Sequence, residues 1–465
     1  MNIQKAKLSF IEKIGYATGD TASNLFWQTF SMFLLFFYTD IFGISAAAAG
    51  TMFLITRIWD TVNDPLMGII SDRTNTRWGK FRPYLLWLAI PFGVIGVLTF
   101  TTPDFSDAGK IVYAYITYSL MMMIYTAINI PYSALMGVMS SNSLERTSLS
   151  SFRFVAAFTG GIIVQSTALK LVKVTGGDNQ ELGWQLTMTI FAVLAASLFL
   201  FTFFTTRERV SPPKTQKTTL ISDLKDLGSN IPWLMLFIIG IFLLTFVSIR
   251  NGSIMYYFKY YVGEQSFSIF GREYSYGRDT LASAFMVFGS VANIAGVLMT
   301  RYISGLLGKK RAFITLMVLT MILTAIFYVL EPSAVIPMFI MQVIISLVMG
   351  PMSPIIWAMY TDTADYSEWK NGRRATGLVM SASTMAQKFG WTIGGALAGW
   401  ILAAYGFVAN QDQNPETLKG IRLMISIIPA ICALIGGAAM IFYKLDEETM
   451  KGIEAELIQR REKNQ

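Results

Sequence analysis

The sequence predicts an all-α polytopic membrane protein with twelve transmembrane helices in two six-helix bundles. Three observations carry that prediction. Of 465 residues, 53% are hydrophobic and 14% charged, well short of the roughly 25% charged residues of a soluble domain. Runs such as YLLWLAIPFGVIGVLTF, LTMTIFAVLAASLFLFTFF and IPAICALIGGAAMIFY approach or exceed the ~18–20 residues a spanning helix needs. These runs are continuous, which disfavours a β-barrel with its alternating apolar and polar positions.

Taken in chain order, the apolar segments place spans at about 17–42, 45–71, 82–102, 110–138, 150–174 and 184–205, then 232–262, 280–302, 311–330, 335–361, 376–406 and 420–443. Between the sixth and seventh lies TTRERVSPPKTQKTTLISDLKDLGSN, polar and rich in Pro and Lys. The expected organisation is therefore an N-terminal bundle (1–205), a cytoplasmic linker (206–231), a C-terminal bundle (232–445) and a cytoplasmic tail (446–465). The tail reads as a solvated helix of mixed charge. MNIQKAKLSFIEKIGYATGD shows no removable signal peptide, so the first span is expected to act as its own insertion signal.

Basic residues orient the spans. Arg73, Arg77, Lys80 and Arg82 follow the second span, and Arg207, Arg209, Lys214, Lys217 and Lys225 lie in the linker. Lys309, Lys310 and Arg311 follow the eighth, and Lys370, Arg373 and Arg374 the tenth. The opposite loops, such as TTPDFSDAG and LEPSAV, carry few. The positive-inside rule then puts both termini in the cytoplasm of a bacterium, with the chain in its inner membrane. The net charge of +8 is explained by those loops rather than by a nucleic-acid partner. One cysteine, Cys432, excludes a disulfide framework. No histidine is present, so a His-based triad or H-E-x-x-H zinc site is excluded, and neither G-x-S-x-G nor a Walker motif occurs. An enzyme is not expected. Two halves of six, with echoes between SDRTNTRWGKFRP and GLLGKKRAF and between SSNSLERTSLSSFR and TADYSEWKNGRRATG, point instead to a transporter built from repeats.

The second span carries RIWDTVNDPLMG at 57–68. Asp60 and Asp64 are four residues apart and so share one helix face, with Asn63 and Arg57 close to it. Two such carboxylates at low dielectric require a proton, a cationic side chain or a bound cation. Two carboxylates, an amide carbonyl and a hydroxyl would cage a monovalent hard ion, by extension from the oxygen preference of hard cations. A structural pairing with Arg153 or Lys388 is the alternative. Other polar groups inside spans are Asn129, before Pro131, and Arg153, Arg250 and Lys388. A helix–helix hydrogen bond for Asn129 and snorkelling for Arg153 are their structural alternatives. Trp27, Trp59, Tyr125, Trp357 and Trp391 could stack on the apolar face of a sugar ring, or serve as packing and interface anchors.

KIGYATGD, FFYTDIFGISAAAAGTMFLITRIWDTVNDPLMG, SDRTNTRWGKFRP, YTAINIPY and DTADYSEWKNGRR resemble the glycoside–pentoside–hexuronide:cation symporters, the melibiose-carrier branch of the major facilitator superfamily. The resemblance runs through the whole chain in order and spacing. It implies a major facilitator fold and sugar uptake coupled to Na⁺, Li⁺ or H⁺ by alternating access, with no cofactor beyond the co-transported cation. The implied cation (metal) site falls on Asp60, Asn63, Asp64 and Thr126. The resemblance places Asn24, Asn129 and Arg153 in the sugar site, Lys388 near the charge cluster and Arg250 as a feature of the xyloside-type branch; Asp20 and the stacking candidates Trp27, Tyr125 and Trp357 complete the expected sugar site. Two aspartates that hold the galactoside in the melibiose carrier are Asn24 and Asn129 here, so the resemblance is nearer to xyloside- and glucuronide-type members. A neutral xyloside-type glycoside, pentoside or oligosaccharide is favoured, a hexuronide is the alternative, and a major-facilitator exporter or a sugar sensor remains as a rival class. The loops SDRTNTRWGKFRP and SEWKNGRR are expected to act as charged latches. The partners expected are the sugar, the cation and the lipid bilayer, with no nucleic acid and a functional monomer.

Overall fold

A computed structural model describes residues 8–140, 143–209, 228–269, 272–371 and 376–463. Most of the expected linker, 210–227, and residues 372–374 of the SEWKNGRR latch lie outside them. The chain forms two compact units. One contains Met1–Thr215, Asp279–Ala284 and Val408–Gln411; the other contains Gln216–Arg278, Phe285–Phe407 and Asp412–Gln465.

In the first unit, α1 (Phe10–Thr29) starts at a capping box. The Ser9 hydroxyl accepts the Glu12 N–H, and the Glu12 carboxylate accepts the Ser9 N–H. The helix therefore begins seven residues ahead of the expected span and continues through wide π turns to Ile41. Then come α2 (Ala46–Arg73), capped by Ser45, α3 (Arg82–Thr99), α4 (Asp107–Met139), capped by Ser106, α5 (Ser143–Gly176) and α6 (Gln180–Thr205). No local side chain caps α3. Glu208, just beyond α6, does so instead: its carboxylate accepts the N–H groups of Lys80 (2.9 Å), Phe81 (2.7 Å) and Arg82 (3.0 Å). Negative charge is favoured at a helix N-terminus. Gly79 makes room for that carboxylate, with φ +110° and a would-be Cβ 2.4 Å from it. Within the SDRTNTRWGKFRP loop, then, the backbone around Gly79 grips an acid.

The second unit comprises α7 (Ile231–Tyr256) with π turns to Val262, a hairpin of β1 (Gln265–Ile269) and β2 (Arg272–Tyr276), and α8 (Arg278–Leu298). α9 (Thr300–Leu307), α10 (Lys309–Ile326), α11 (Val335–Met349), α12 (Met352–Asn371), α13 (Thr376–Ala404), α14 (Pro415–Ile425), α15 (Ile427–Ile441) and α16 (Glu447–Lys463) complete it. β1 and β2 pair antiparallel from Gln265–Tyr276 to Ile269–Arg272, a small departure from the all-α expectation. α7 packs closely on α13 because glycines face it: a Cβ at Gly390 would lie 2.6 Å from the Ile241 carbonyl oxygen, and one at Gly394 2.4 Å from Ser248 Cβ.

Nine helical segments among the described residues have the length and apolar composition of membrane spans, with apolar side chains such as Ile90, Val193, Phe204, Ile336 and Ile441 on exposed faces. The other three expected spans are also helical. They are Phe10–Ile41, α2 and α13, and they carry Asp20, the Asp60–Asp64 stretch and Lys388. The eighth expected span ends earlier, at Leu298, and GLLGKKRAF is not an open loop but the end of α9, Gly308 and the start of α10. The tenth breaks at Gly350–Pro351 and the twelfth at Ser426. The tail corrects the reading as a solvated helix: Met450, Ile453 and Leu457 of α16 are buried in the hydrophobic core of the second unit. The Trp369 indole N–H donates to Glu456 at 2.7 Å. The i, i+3, i+7 spacing of these three apolar residues marks the buried stripe, which the high charge of the segment masks.

Candidate functional site

The expected cation residues converge in the first unit. Asp60 on α2 is buried, at 4% exposure, and Asp64 lies one turn further along. From α4, the Thr126 hydroxyl reaches Asp60 Oδ1 at 2.8 Å and Asp64 Oδ1 at 3.1 Å. One hydroxyl proton serves one carboxylate at a time, while the oxygen keeps lone pairs that a cation can share. Arg57 Nη1 lies 3.6 Å from Asp60 Oδ2, an ion pair longer than a hydrogen bond, so this arginine, not Arg153, is a cation beside the pair. The Asn63 Nδ2 is buried and makes no hydrogen bond. Turning that amide over would put its carbonyl oxygen there instead, which is the donor a cation needs. Among the described residues, no three acidic, His or Cys side chains are grouped to hold a metal ion. The cage is thus two carboxylates plus neutral oxygens, a set that fits a monovalent hard ion better than a divalent one.

The cage adjoins an aromatic pair. The Arg57 guanidinium sits 4.8 Å above the Trp27 ring, and Trp27 lies 5.7 Å from Tyr125, the residue before Thr126. Further along α1, Asp20 accepts two hydrogen bonds from Arg153, at 2.5 Å from Nε and 3.1 Å from Nη2, and one from the Tyr132 hydroxyl at 2.7 Å. The same guanidinium faces the Tyr132 ring at 5.0 Å. Arg153 therefore neither snorkels unpaired nor serves the Asp60–Asp64 pair; a carboxylate orients it. Asn24 donates to the Asp20 carbonyl at 2.9 Å. Asn129 donates to the Tyr125 carbonyl at 2.9 Å and accepts from Ser23 at 2.7 Å. The sequence reading included Asp20 but missed Ser23 and Tyr132. Their signal was faint: Ser23 adjoins Asn24, and Tyr132 lies three residues after Asn129.

In the second unit Arg250, on α7, is 5% exposed. Its Nε donates to the Ile425 carbonyl oxygen at 3.3 Å, where α14 ends, and its guanidinium lies 5.4 Å from the Phe327 ring centre. Its Nη2 is buried with no hydrogen-bond partner. Trp357 packs edge-on against Tyr360 at 5.7 Å beside the core, which fits an anchor as well as a sugar platform. Lys388 lies half-buried on α13. Trp59 is 51% exposed, as the interface-anchor alternative expects.

Helices of this length and composition, paired carboxylates inside one of them and buried guanidinium groups beside aromatic rings define a multi-pass carrier of polar solutes. The family described as MFS/sugar transport protein matches residues 15–447, and the chain belongs to it. It is 38% identical to the inner membrane symporter YicJ of Escherichia coli (strain K12), over 97% of this chain and 95% of that one. It is 37% identical to the isoprimeverose transporter of Lactiplantibacillus pentosus, over 96% and 91% respectively. A solved structure of a mutant of the nucleoside transporter NupG superposes with a TM-score of 0.64 at 14% identity, over 92% of this chain and 99% of that one, a likeness of fold. The chain is a membrane-embedded sugar transporter and not an enzyme.

Proposed function

We propose that the chain is a symporter that couples the downhill entry of Na⁺ or H⁺ to uptake of a neutral, xyloside-type glycoside. The observation that carries this reading is the buried Asp60–Asp64 pair sharing the Thr126 hydroxyl, with the orphaned Asn63 amide beside it. Binding a cation there neutralises a cluster that the Thr126 hydroxyl bridges and Arg57 adjoins. The freed guanidinium then bears on the Trp27–Tyr125 pair next to the sugar-facing asparagines. Asn24, Asn129 and Arg153 are the sugar contacts proposed in the first unit; Arg250, Lys388 and Trp357 are those proposed in the second. By linkage, each ligand raises the affinity for the other by the same factor, typically about 5–150-fold. The likeness to the isoprimeverose transporter supports a xylose-containing substrate. Both termini face the cytoplasm of the inner membrane, and the monomer is the working unit.

The unpartnered Nη2 of Arg250 favours a second reading, in which the sugar bears a carboxylate, since a carboxylate would complete that guanidinium. One experiment tests both. Sugar-stimulated Na⁺ and H⁺ movement is measured in proteoliposomes with xylosides, glucuronides and galactosides, for wild type and Asp64→Asn. Xyloside-dependent ion flux lost in Asp64→Asn is the expected result. Flux with glucuronides alone selects the second reading, and no ion movement with any sugar sinks symport.

A further inference from the structure

We infer that Ser23 is a positioning residue that occupies the Asn129 carbonyl oxygen, so that Asn129 meets the proposed sugar site through its second N–H while the Asn24 carbonyl oxygen stays open to accept. The two asparagines share one device. Each sends an N–H to the carbonyl four residues back on its own helix, Asn24 to Asp20 and Asn129 to Tyr125, both at 2.9 Å. A backbone carbonyl can only accept, so neither amide can turn over without setting oxygen against oxygen.

The two amides differ in what remains. The Asn129 carbonyl oxygen already accepts the hydroxyl of Ser23 at 2.7 Å. Ser23 is only 2% exposed, so its proton has no competing water. Asn129 is half-buried and keeps its second N–H for a ligand. Asn24 is also half-buried, and its carbonyl oxygen accepts no hydrogen bond among the described residues. The pair therefore asks for a ligand oxygen that accepts at Asn129 and a hydroxyl that donates at Asn24. This deepens the proposed function and rests on it for the identity of the ligand, but not for the Ser23–Asn129 bond.

Two measurements on the full chain in lipid nanodiscs and proteoliposomes separate these claims. The first needs no sugar: thermal unfolding of wild type, Ser23→Ala, Asn129→Ala and the double variant. Ser23→Ala is expected to lower the midpoint by roughly 1–3 °C in the Asn129 background, and by less than half as much with Asn129→Ala. Equal shifts in both backgrounds would overturn the positioning. The second compares methyl β-xyloside analogues that carry hydrogen or fluorine in place of each hydroxyl as transport inhibitors. Fluorine accepts weakly and cannot donate, so at one ring position the fluoro analogue should bind roughly three- to tenfold better than the deoxy analogue. In Ser23→Ala the Asn129 N–H stays turned by the Tyr125 carbonyl but its oxygen is freed to accept, so the preference for the parent hydroxyl over fluorine at that position should rise roughly three- to tenfold. A preference for the hydroxyl unchanged in Ser23→Ala overturns the claim that Ser23 occupies that oxygen. If wild type binds no xyloside, the substrate reading fails and the unfolding cycle alone decides the positioning.

Discussion

Arg153 in the first unit faces a carboxylate through two hydrogen bonds, whereas Arg250 in the second faces a backbone carbonyl and a phenyl ring. The same contrast recurs one residue out. Arg57 leans on Asp60, while Arg422 donates to the Tyr328 carbonyl and stacks on its ring at 4.4 Å. The first unit thus holds these two arginines, though not Arg82, with negative side chains that a cation can compete for. The second holds its pair with dipoles and π faces, which do not neutralise charge. A buried guanidinium held that way keeps its charge and, in Arg250, a spare N–H. Under the proposed function, that division leaves the first unit's carboxylates open to a cation and the second unit's Arg250 open to an electron-rich oxygen.

The sharpest way to break that division is at the carboxylate pair. Asp60→Asn or Asp64→Asn removes one charged ligand, worth roughly 1.5–3 kcal/mol, so cation affinity should fall about 10–150-fold. Sugar accumulation against a gradient should vanish while sugar binding, read by exchange without net transport, persists. Loss of sugar binding in both variants would show that the pair is part of the sugar site. Next in size is the stability of the two arginines. Asp20→Asn strands Arg153, and because both groups are partly exposed, at 24% and 14%, the expected loss lies between surface and buried pairs, about 1–3 kcal/mol. Arg250→Met removes a buried charge with no carboxylate partner, so unfolding should shift upward or not at all while transport falls. A stability loss in Arg250→Met as large as in Asp20→Asn would make Arg250 chiefly a cap for the C-terminal end of α14.

These contrasts were only partly legible in the sequence. The spans were, because apolar runs of bilayer length have few other uses, and the Asp60–Asp64 spacing placed both acids on one helix face. The meeting of Thr126 with that face came from resemblance, since no local pattern reports a contact 62 residues away. The pairing of Arg153 with Asp20 joins positions 133 residues apart, and nothing in SSFRFVAA marks which acid it meets. The breaks at Met299, Gly350–Pro351 and Ser426 were hidden because hydropathy averages over a window and reads through one or two non-helical residues. The docked tail was hidden for the opposite reason: charges outnumber the three apolar residues that bury it.

The smallest expected effect compares the helix starts outside the spans, where each unit uses an acid as a cap. Glu12 in the first unit closes the Ser9 capping box and pairs with Arg209. Burial pushes its carboxyl up, but the Ser9 N–H and the Arg209 guanidinium outweigh it and hold the group below its ordinary value. Asp446 in the second unit is held low chiefly by the hydroxyl and N–H of Thr449 at the start of α16, with smaller help from the charges of Lys310 and Arg311 and with little burial. A depressed carboxylate stabilises the fold above the unfolded value, about pH 4 for either acid, and that contribution is lost as pH falls through the lower folded value. Glu12→Gln keeps the capping hydrogen bond and removes the charge, so it should cost roughly 0.2–1 kcal/mol near pH 7 and nothing once Glu12 is protonated. Salt should shrink the difference, because the Arg209 pair is partly screened. Asp446→Asn should leave the Thr449 bonds in place and show a weaker pH dependence still. Unfolding of both variants between pH 3 and 7 reads the comparison. A pH dependence in Asp446→Asn equal to that in Glu12→Gln would mean that the ion pair with Arg209 adds nothing to the cap.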